Sequence, residues 1–202
     1  MKPIMRVFAS AFVPSRFTVA ALFALALGSI TRIAAAQAPT RTAPEIAPSR
    51  DQQYPVVADV KSIDGIMRAF YEVVSTAAGA RPNQQRDASL HAPDAQIRLS
   101  RITREGRPDL QLLTLPQLHA SDSTVRKQAF YEREIHRIIE RFGSTAHVWS
   151  TYVTSRTPHG RAVNRGISSV QLYFDGTRWW ITGWTNEDER NGHPIPARFL
   201  PR

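Results

Sequence analysis

Two β-prone runs near the C-terminus alternate hydrophobic and polar positions on either side of a turn signal. The runs cover about 167–174 and 178–185, and Asp175-Gly176 stands between them. An Asp-Gly pair between such runs predicts a β-hairpin, because a type I′ turn needs positive φ at both central residues. A two-residue turn places the most hydrophobic positions on one face, which we predict to be a core face of Val170, Leu172, Trp179 and Ile181.

The opposite face of this hairpin is amphipathic and rich in aromatic residues. Large exposed apolar areas are unusual on soluble monomers and commonly mark a partner surface. We therefore predict a homodimer that packs sheet to sheet through Ile167, Tyr173, Trp180 and Trp184. The alternative is that a proline-rich C-terminal strap, 194–201, folds back over this face within one chain.

Upstream of the hairpin, the first strong pattern is helical. Apolar residues at helical spacing predict a helix over about 59–76, with Asp59 or Ser62 as its cap. The stripe consists of Ile63, Ile66, Met67, Phe70 and Val74, and Tyr71 flanks it.

Three further segments follow. A short helix is predicted over 83–91 with Asn83 as its cap, and then a second hairpin from about 96–103 and 110–115. The segment 130–142 is ambiguous. Ile135, Ile138, Ile139 and Phe142 fit a helix by spacing, whereas 145–155 is clearly strand-like and Gly143-Ser144 could join two strands.

The first 36 residues have the three parts of a secretory signal peptide. A basic start without acids is followed by a short apolar run, 17–30, and by Ala34-Ala35-Ala36. We predict cleavage after residue 36 and a periplasmic or secreted location; the alternative is an uncleaved membrane anchor. A proline-rich linker, 37–58, precedes a single domain, 59–202.

Composition narrows the classes of function. The chain has no Cys, which excludes disulfides and thiol chemistry and suits an oxidising periplasm. Its formal charge is +9, and loss of the four basic residues before residue 37 leaves +5. This modest charge lacks a Lys/Arg block, so we predict no nucleic-acid binding.

The order of these motifs resembles the nuclear transport factor 2-like superfamily, and within it the exported bacterial polyketide-cyclase-like (SnoaL-like) branch. The matching motifs span about 59–200: Asp64-Gly65-Ile66, Tyr71-Glu72, Pro93-Asp94-Ala95, Phe130 with Glu132 and Glu134, Ala146-His147-Val148, Ser150-Thr151-Tyr152, Arg165-Gly166-Ile167, Arg178-Trp179-Trp180-Ile181 and Trp184 with Glu187. His91 and Ser168 depart from the usual pattern, in which an aromatic residue and Asn are common.

The resemblance implies an α+β fold in which a curved antiparallel sheet wraps around the N-terminal helices and leaves an apolar pocket. It implies that 130–142 is a strand, against the helical spacing. The pocket would be lined by Met67, Phe70, Tyr71 and Val74 of the first helix. Because related pockets host both enzymes and proteins without catalysis, the fold does not give the function.

Candidate chemistry is sparse. On a strand, Glu134 and His136 would share a face and could perform acid–base catalysis. Glu140 would pair with His147 across a two-residue turn, which is more typical of a solvent-exposed cross-strand charge pair. The six His show no metal-ligand spacing, and no cofactor motif is visible, so we predict neither a metal nor a cofactor.

Two classes of function remain at this point. The first is an exported protein that binds a small hydrophobic ligand or acts as a dimeric envelope interaction module. The second is a cofactor-free isomerase, cyclase or dehydratase acting on a small hydrophobic substrate. An enzyme requires at least two ionisable groups that converge inside the pocket, whereas a binding protein requires only the cavity.

Overall fold

The computed structural model describes residues 53–202, in which helices precede and accompany one sheet. The predicted signal peptide and most of the predicted linker lie outside these residues. The helices are α1 Val57–Val60, α2 Ile63–Val74, α3 Gln84–Leu90 and α4 Leu115–Ser121. The strands are β1 His91–Ile102, β2 Pro108–Thr114, β3 Tyr131–Phe142, β4 Thr145–Ser155, β5 Asn164–Phe174 and β6 Trp179–Asp188.

The six strands form a single sheet in the order β2-β1-β6-β5-β4-β3. All neighbours are antiparallel except β1 and β6, which run parallel. The predicted α+β class is confirmed, and the sheet is mixed rather than antiparallel throughout. The sequence could not show this pairing, because most of the domain lies between β1 and β6 and no short hairpin fixes their direction.

The predicted first helix is divided into two. The Ser62 hydroxyl accepts a hydrogen bond from the Gly65 amide at 3.0 Å and so caps α2, while α1 ends at Val60. Gly65 allows α1 to lie close, since a Cβ at this position would be 2.2 Å from the Ala58 carbonyl oxygen. The other short helices begin at side-chain caps, Asn83 for α3 and Thr114 for α4.

The segment 130–142 contains β3, so the helical spacing is overruled and the strand implied by the resemblance is confirmed. β3 pairs with β4 along its length, and Gly143-Ser144 forms the two-residue turn. Local spacing fails here because strand pairing satisfies the backbone groups of the whole segment, an effect that short patterns do not show.

The core lies between α2 and one face of the sheet, which we call the inner face. Ile66 and Met67 of α2 are fully buried against Val170, Leu172 and Ile181. Trp179 is 4% exposed, so the predicted core face of the hairpin is where the sequence placed it. We call the opposite face of the sheet the outer face. None of the helices α1–α4 that contact these core residues lies on it.

The β5–β6 connection differs from the predicted two-residue turn. Phe174 pairs with Trp179, so the loop has four residues, and the Asp175 carboxylate accepts hydrogen bonds from the amides of Thr177 and Arg178 at 2.7 and 2.8 Å. Both loop lengths give the same face assignment next to the turn. The prediction of the core face therefore survives the change of turn.

The C-terminal segment packs on the outer face as a strap, with a short 3-10 turn at Ala197–Phe199. Phe199 is 6% exposed, and its carbonyl accepts a hydrogen bond from the Thr151 hydroxyl at 2.6 Å. Its ring lies 5.5 Å from that of Trp149. The strap thus covers β4, and it makes no ring contact with Tyr173 or Trp180 within the described residues.

No helix among residues 53–202 has the length and apolar character needed to span a bilayer.

Candidate functional site

A cavity of about 470 Å³ lies where α2 meets β3 and the loop between β4 and β5. We call it the large cavity. α2 contributes Arg68, Tyr71 and Glu72, and β3 contributes Glu132, Glu134 and Arg137, while Pro158 and His159 lie in the loop. This volume is in the range typical of small-molecule sites.

A chain of hydrogen bonds forms one wall of the large cavity. The Ser150 hydroxyl donates to the Glu134 carboxylate, so the Tyr71 hydroxyl, 2.7 Å away, must donate to Ser150. Arg137 donates to Glu134 at 2.7 Å and to Asp64 at 2.8 Å. Burial raises the pKa of Tyr71 above its ordinary value, which keeps its hydroxyl protonated.

Glu132 is the exceptional group of this site. Its backbone is held by Ser75, whose hydroxyl contacts both the amide and the carbonyl of Glu132, at 3.0 and 3.2 Å. Its carboxyl group receives no hydrogen bond from residues 53–202. Burial raises the pKa of Glu132 from its ordinary value of 4.5 to about 7, against the opposing effect of Arg126.

A second cavity of about 180 Å³, the small cavity, is also lined by Glu132. Its walls come from α2, α3, α4, the segment before β3, and the strands β3 and β6, and they include Phe130 and Trp184. Glu132 lines both cavities. A residue whose carboxyl group has a pKa near neutrality therefore borders two spaces that can hold other molecules.

Gly166 lies directly against the Tyr152 hydroxyl on the neighbouring strand β4. A Cβ at this position would be 2.4 Å from the Tyr152 hydroxyl. Tyr152 is almost fully buried, and burial raises its pKa above the ordinary value, with Glu132 adding to the rise. A side chain at residue 166 would push this tyrosine out of place.

The four predicted pocket residues do not line one common cavity. Met67 and Phe70 are 0% and 6% exposed and line neither cavity, because the apolar stripe of α2 packs directly on the sheet. Tyr71 lines the large cavity and Val74 the small one. The large cavity lies along the flank of α2 that carries Arg68, Tyr71 and Glu72, and most of its accessible lining surface is apolar.

The predicted pair of Glu134 and His136 does not share a face. The strand register shifts between them, so that Glu134 lies opposite Tyr152 and His136 lies opposite Thr151. Since Tyr152 and Thr151 point to opposite sides of β4, Glu134 is inward and His136 is on the outer face. Glu140 and His147 do pair, at 3.8 Å on the outer face, with Glu140 largely exposed.

One predicted interface residue is wrong. The register of β5 and β6 also shifts, between Gln171 and Leu172, and this places Trp184 opposite Val170 on the inner face. Trp184 is 7% exposed, and its indole N–H donates to His91 Nε2 at 3.2 Å. Burial lowers the pKa of His91, so a neutral imidazole takes part in this buried polar contact. Ile167, Tyr173 and Trp180 remain on the outer face.

Within residues 53–202 no cluster of three or more His, Asp or Glu side chains is arranged to hold a metal ion.

The sequence reasoning missed Glu132, Arg126 and Arg137. Strand alternation already placed Glu132 on the same face as Glu134, so the direction of its side chain could be predicted. Its burial could not be predicted, because the elements that bury it are distant in sequence. Asp188 and Arg190, at and just after the end of β6, face Glu132 together with Arg126, and no local pattern brings these groups together.

No protein family model matches this sequence, and no curated protein matches it. Solved structures do resemble the domain. A nuclear transport factor 2-like protein of unknown function from Silicibacter pomeroyi is 9% identical, with a TM-score of 0.45 over 63% of this chain and 93% of that one. The CaMKII hub of S. rosetta is 13% identical, with a TM-score of 0.45 over 64% and 95% of the two chains.

ActVI-ORFA from Streptomyces coelicolor is 12% identical, with a TM-score of 0.36 over 53% of this chain and 86% of that one. Identities this low concern the fold and not the activity. The described domain is an α+β fold with a six-stranded mixed sheet, and the structures it is similar to include nuclear transport factor 2-like proteins.

Proposed function

We propose that the protein binds a small amphipathic molecule in the large cavity, where it contacts the Glu132 carboxyl group. The observation that carries the proposal is the carboxyl group of Glu132, which lines the cavity without a hydrogen-bond partner among residues 53–202. A buried polar group without a partner is costly, and a ligand that donates a hydrogen bond would remove this cost.

The arginines that line the large cavity favour an anionic group on the ligand. Arg68 and Arg137 are each paired with carboxylates, whereas Arg133 makes no ion pair or hydrogen bond with residues 53–202. A guanidinium without a partner in the lining of a cavity is suited to a carboxylate or sulfonate. The proposed ligand therefore has an apolar body and one acidic group, which refines the predicted small hydrophobic ligand.

The proposal predicts that 1-anilinonaphthalene-8-sulfonate binds in the large cavity and contacts Arg133 through its sulfonate. Arg133→Glu should weaken binding by about tenfold, because one charge-assisted contact is replaced by repulsion. Fluorescence titration measures the affinity. Arg107→Glu makes the same charge change in the β1–β2 turn, away from both cavities, and should leave the affinity nearly unchanged. Equal losses in both variants would contradict the proposed site.

A second candidate is proton transfer by Glu132. A general base works best when its pKa is close to the working pH, and the pKa of Glu132 is raised to about 7. Tyr71, Glu134 and Arg137 line the same cavity, which meets the requirement for converging ionisable groups. The candidate enzyme would remove a proton next to a carbonyl, as isomerases and dehydratases do. The test is the exchange of deuterium from the solvent into a bicyclic ketone. Exchange that Glu132→Gln abolishes would support proton transfer over simple binding.

The proposed location is the periplasm or the extracellular medium, and the predicted signal peptide supports it. The proposed oligomer is a homodimer formed through the outer face. Leu110 and Leu112 of β2 are 56% and 60% exposed there, and Tyr173 is 46% exposed beside Trp180. Apolar side chains spread over an open sheet face match the composition of interface cores.

Tyr173→Lys combined with Leu112→Lys should convert the dimer to a monomer, because both charges would be buried without partners. These two residues are preferred to Trp180, whose indole N–H donates to Asp175 at 2.7 Å and whose ring lies 3.6 Å below the Arg178 guanidinium. Sedimentation at micromolar concentration measures the change. Val57→Lys, on exposed α1, is the matched control. A monomeric unsubstituted protein would rule out the dimer.

A further inference from the structure

The small cavity has the size and walls of a site for one ring. Its volume is about 180 Å³. Phe130 and Trp184 supply two aromatic walls, and Val73, Val74 and Leu118 supply aliphatic ones. An apolar ring would contact these side chains on several sides, which is how such surfaces stabilise a ligand.

Two polar groups of the small cavity have no partner within residues 53–202. The Arg126 Nε–H is buried and donates no hydrogen bond, although the same guanidinium donates to Asp122 through Nη2 and lies 5.0 Å from the Phe130 ring centre. The Glu132 carboxyl group receives no hydrogen bond either. The cavity therefore has one unsatisfied hydrogen-bond donor, Arg126 Nε–H, and one unsatisfied acceptor, the Glu132 carboxyl group.

The other polar side chains around the small cavity already have partners. His119 pairs with Asp87 at 2.7 Å, and the Gln84 amide donates to the His119 carbonyl at 2.7 Å. The Asn83 amide donates to the Tyr54 hydroxyl at 2.7 Å. These groups hold the walls in place, so the unfilled pair of Arg126 and Glu132 decides which polar group a ligand must carry.

We propose that the small cavity is a separate binding site for a neutral, single-ring molecule with a hydroxyl group, of the phenol class. The hydroxyl oxygen would accept a hydrogen bond from Arg126 Nε–H, and the hydroxyl O–H would donate a hydrogen bond to the Glu132 carboxylate. An anion is disfavoured because Asp87, Asp122 and Glu132 all line this cavity. A cation offers no acceptor to Arg126. Both proposals use the Glu132 carboxyl group, which lines both cavities, whereas Arg126 lines only the small one.

Phenol itself is the probe, and the readout is an amide and side-chain ¹H–¹⁵N correlation spectrum of the full domain at about pH 8, where Glu132 is mostly ionised. We expect millimolar phenol to shift the Trp184 indole N–H and the Arg126 Nε–H. The Trp180 indole N–H, on the outer face, should not move. Shifts at Trp180 alone, or no shift at Trp184, would overturn the proposal and leave the cavity as a space for water.

Two chemical comparisons test the hydrogen bonds separately from the shape. Anisole keeps the ring and the acceptor but lacks the donor, and it should bind about tenfold more weakly than phenol because the Glu132 carboxylate remains unpaired. Benzoate should not shift Trp184 under the same conditions. Equal affinities for phenol and anisole would show that the cavity selects only for apolar size, which contradicts the proposed role of Glu132.

Arg126→Lys provides the matched variant, because it keeps a positive charge next to Asp122 but removes the Nε–H. We expect phenol to bind the variant about tenfold more weakly, with a smaller effect on the sulfonate dye in the large cavity. Unchanged phenol affinity would contradict the contact with Arg126. Should the variant fail to fold, the comparison of phenol with anisole on the unsubstituted protein still decides the proposal. If the sulfonate dye binds and phenol does not, the proposed phenol site in the small cavity is rejected and the proposed function of the large cavity is not.

Discussion

Replacement of Trp179 by Ala should lower the free energy of unfolding by about 3–5 kcal/mol, the usual cost of emptying a large buried aromatic position. Trp179 is 4% exposed on the inner face, and its ring lies 5.3 Å from Phe174. The Arg141 guanidinium lies 5.0 Å from the ring centre and would lose this contact as well. Urea unfolding measures the change.

Trp180→Ala is the control for this substitution, since the same side chain is removed from the outer face, where it is only half-buried. It should cost clearly less than Trp179→Ala, because less apolar area returns to water on unfolding. A loss below about 1 kcal/mol for Trp179→Ala would be typical of a surface position and would show that the inner face is assigned wrongly.

Glu132→Gln should stabilise the protein above neutral pH. The pKa of Glu132 is raised from 4.5 to about 7 in the folded protein, so the folded state binds more protons than the unfolded state between these values. Stability therefore falls as the pH rises from about 4.5 to about 7, by up to roughly 3 kcal/mol. The amide of glutamine carries no charge and avoids this loss.

We expect the Glu132→Gln variant to be more stable than the unsubstituted protein by about 1–3 kcal/mol at pH 8, with the difference nearly gone at pH 5. Urea unfolding at a series of pH values measures it. Glu140→Gln, at the largely exposed carboxylate of the outer face, should show no such pH dependence. Parallel stability curves for the Glu132→Gln variant and the unsubstituted protein would mean that burial does not destabilise the ionised Glu132.

The helices and hairpins could be predicted because their signals are local. The stripe of α2, the Ser62 and Asn83 caps, and the alternating residues around Asp175-Gly176 all specify their elements without help from distant parts of the chain. The core face of the last hairpin follows from the same alternation. β3 was recoverable only through the resemblance, since its isoleucines also fit a helix.

Two register shifts account for the errors in face assignment. Alternation assumes an uninterrupted strand, and one extra residue moves every later side chain to the other face. This happened to Trp184 in β6 and to His136 in β3. One clue was present: Gly183 lies within a strand pattern, where glycine often marks a bulge or a close approach. A Cβ there would be 2.9 Å from the Gln96 carbonyl of β1.

The candidate site depended on contacts that no local pattern contains. Glu132 acquires its raised pKa from burial under α2 and the sheet, and its charged neighbours Arg126, Asp188 and Arg190 come from separate segments. The Ser75 hydroxyl that holds its backbone lies 57 positions earlier. Such a cluster can be found only when the fold is known. Stability is commonly lower where a charged group is kept at a functional site.

The most direct test of this account is the titration of the Glu132 carboxyl group by ¹³C NMR, with the Glu132→Gln variant used to assign its resonance. Glu132 lines both cavities, and its carboxyl group has no hydrogen-bond donor among residues 53–202. We predict a titration midpoint near 7. A midpoint near the ordinary value of 4.5 would contradict it, because Glu132 would then be either solvated or already paired.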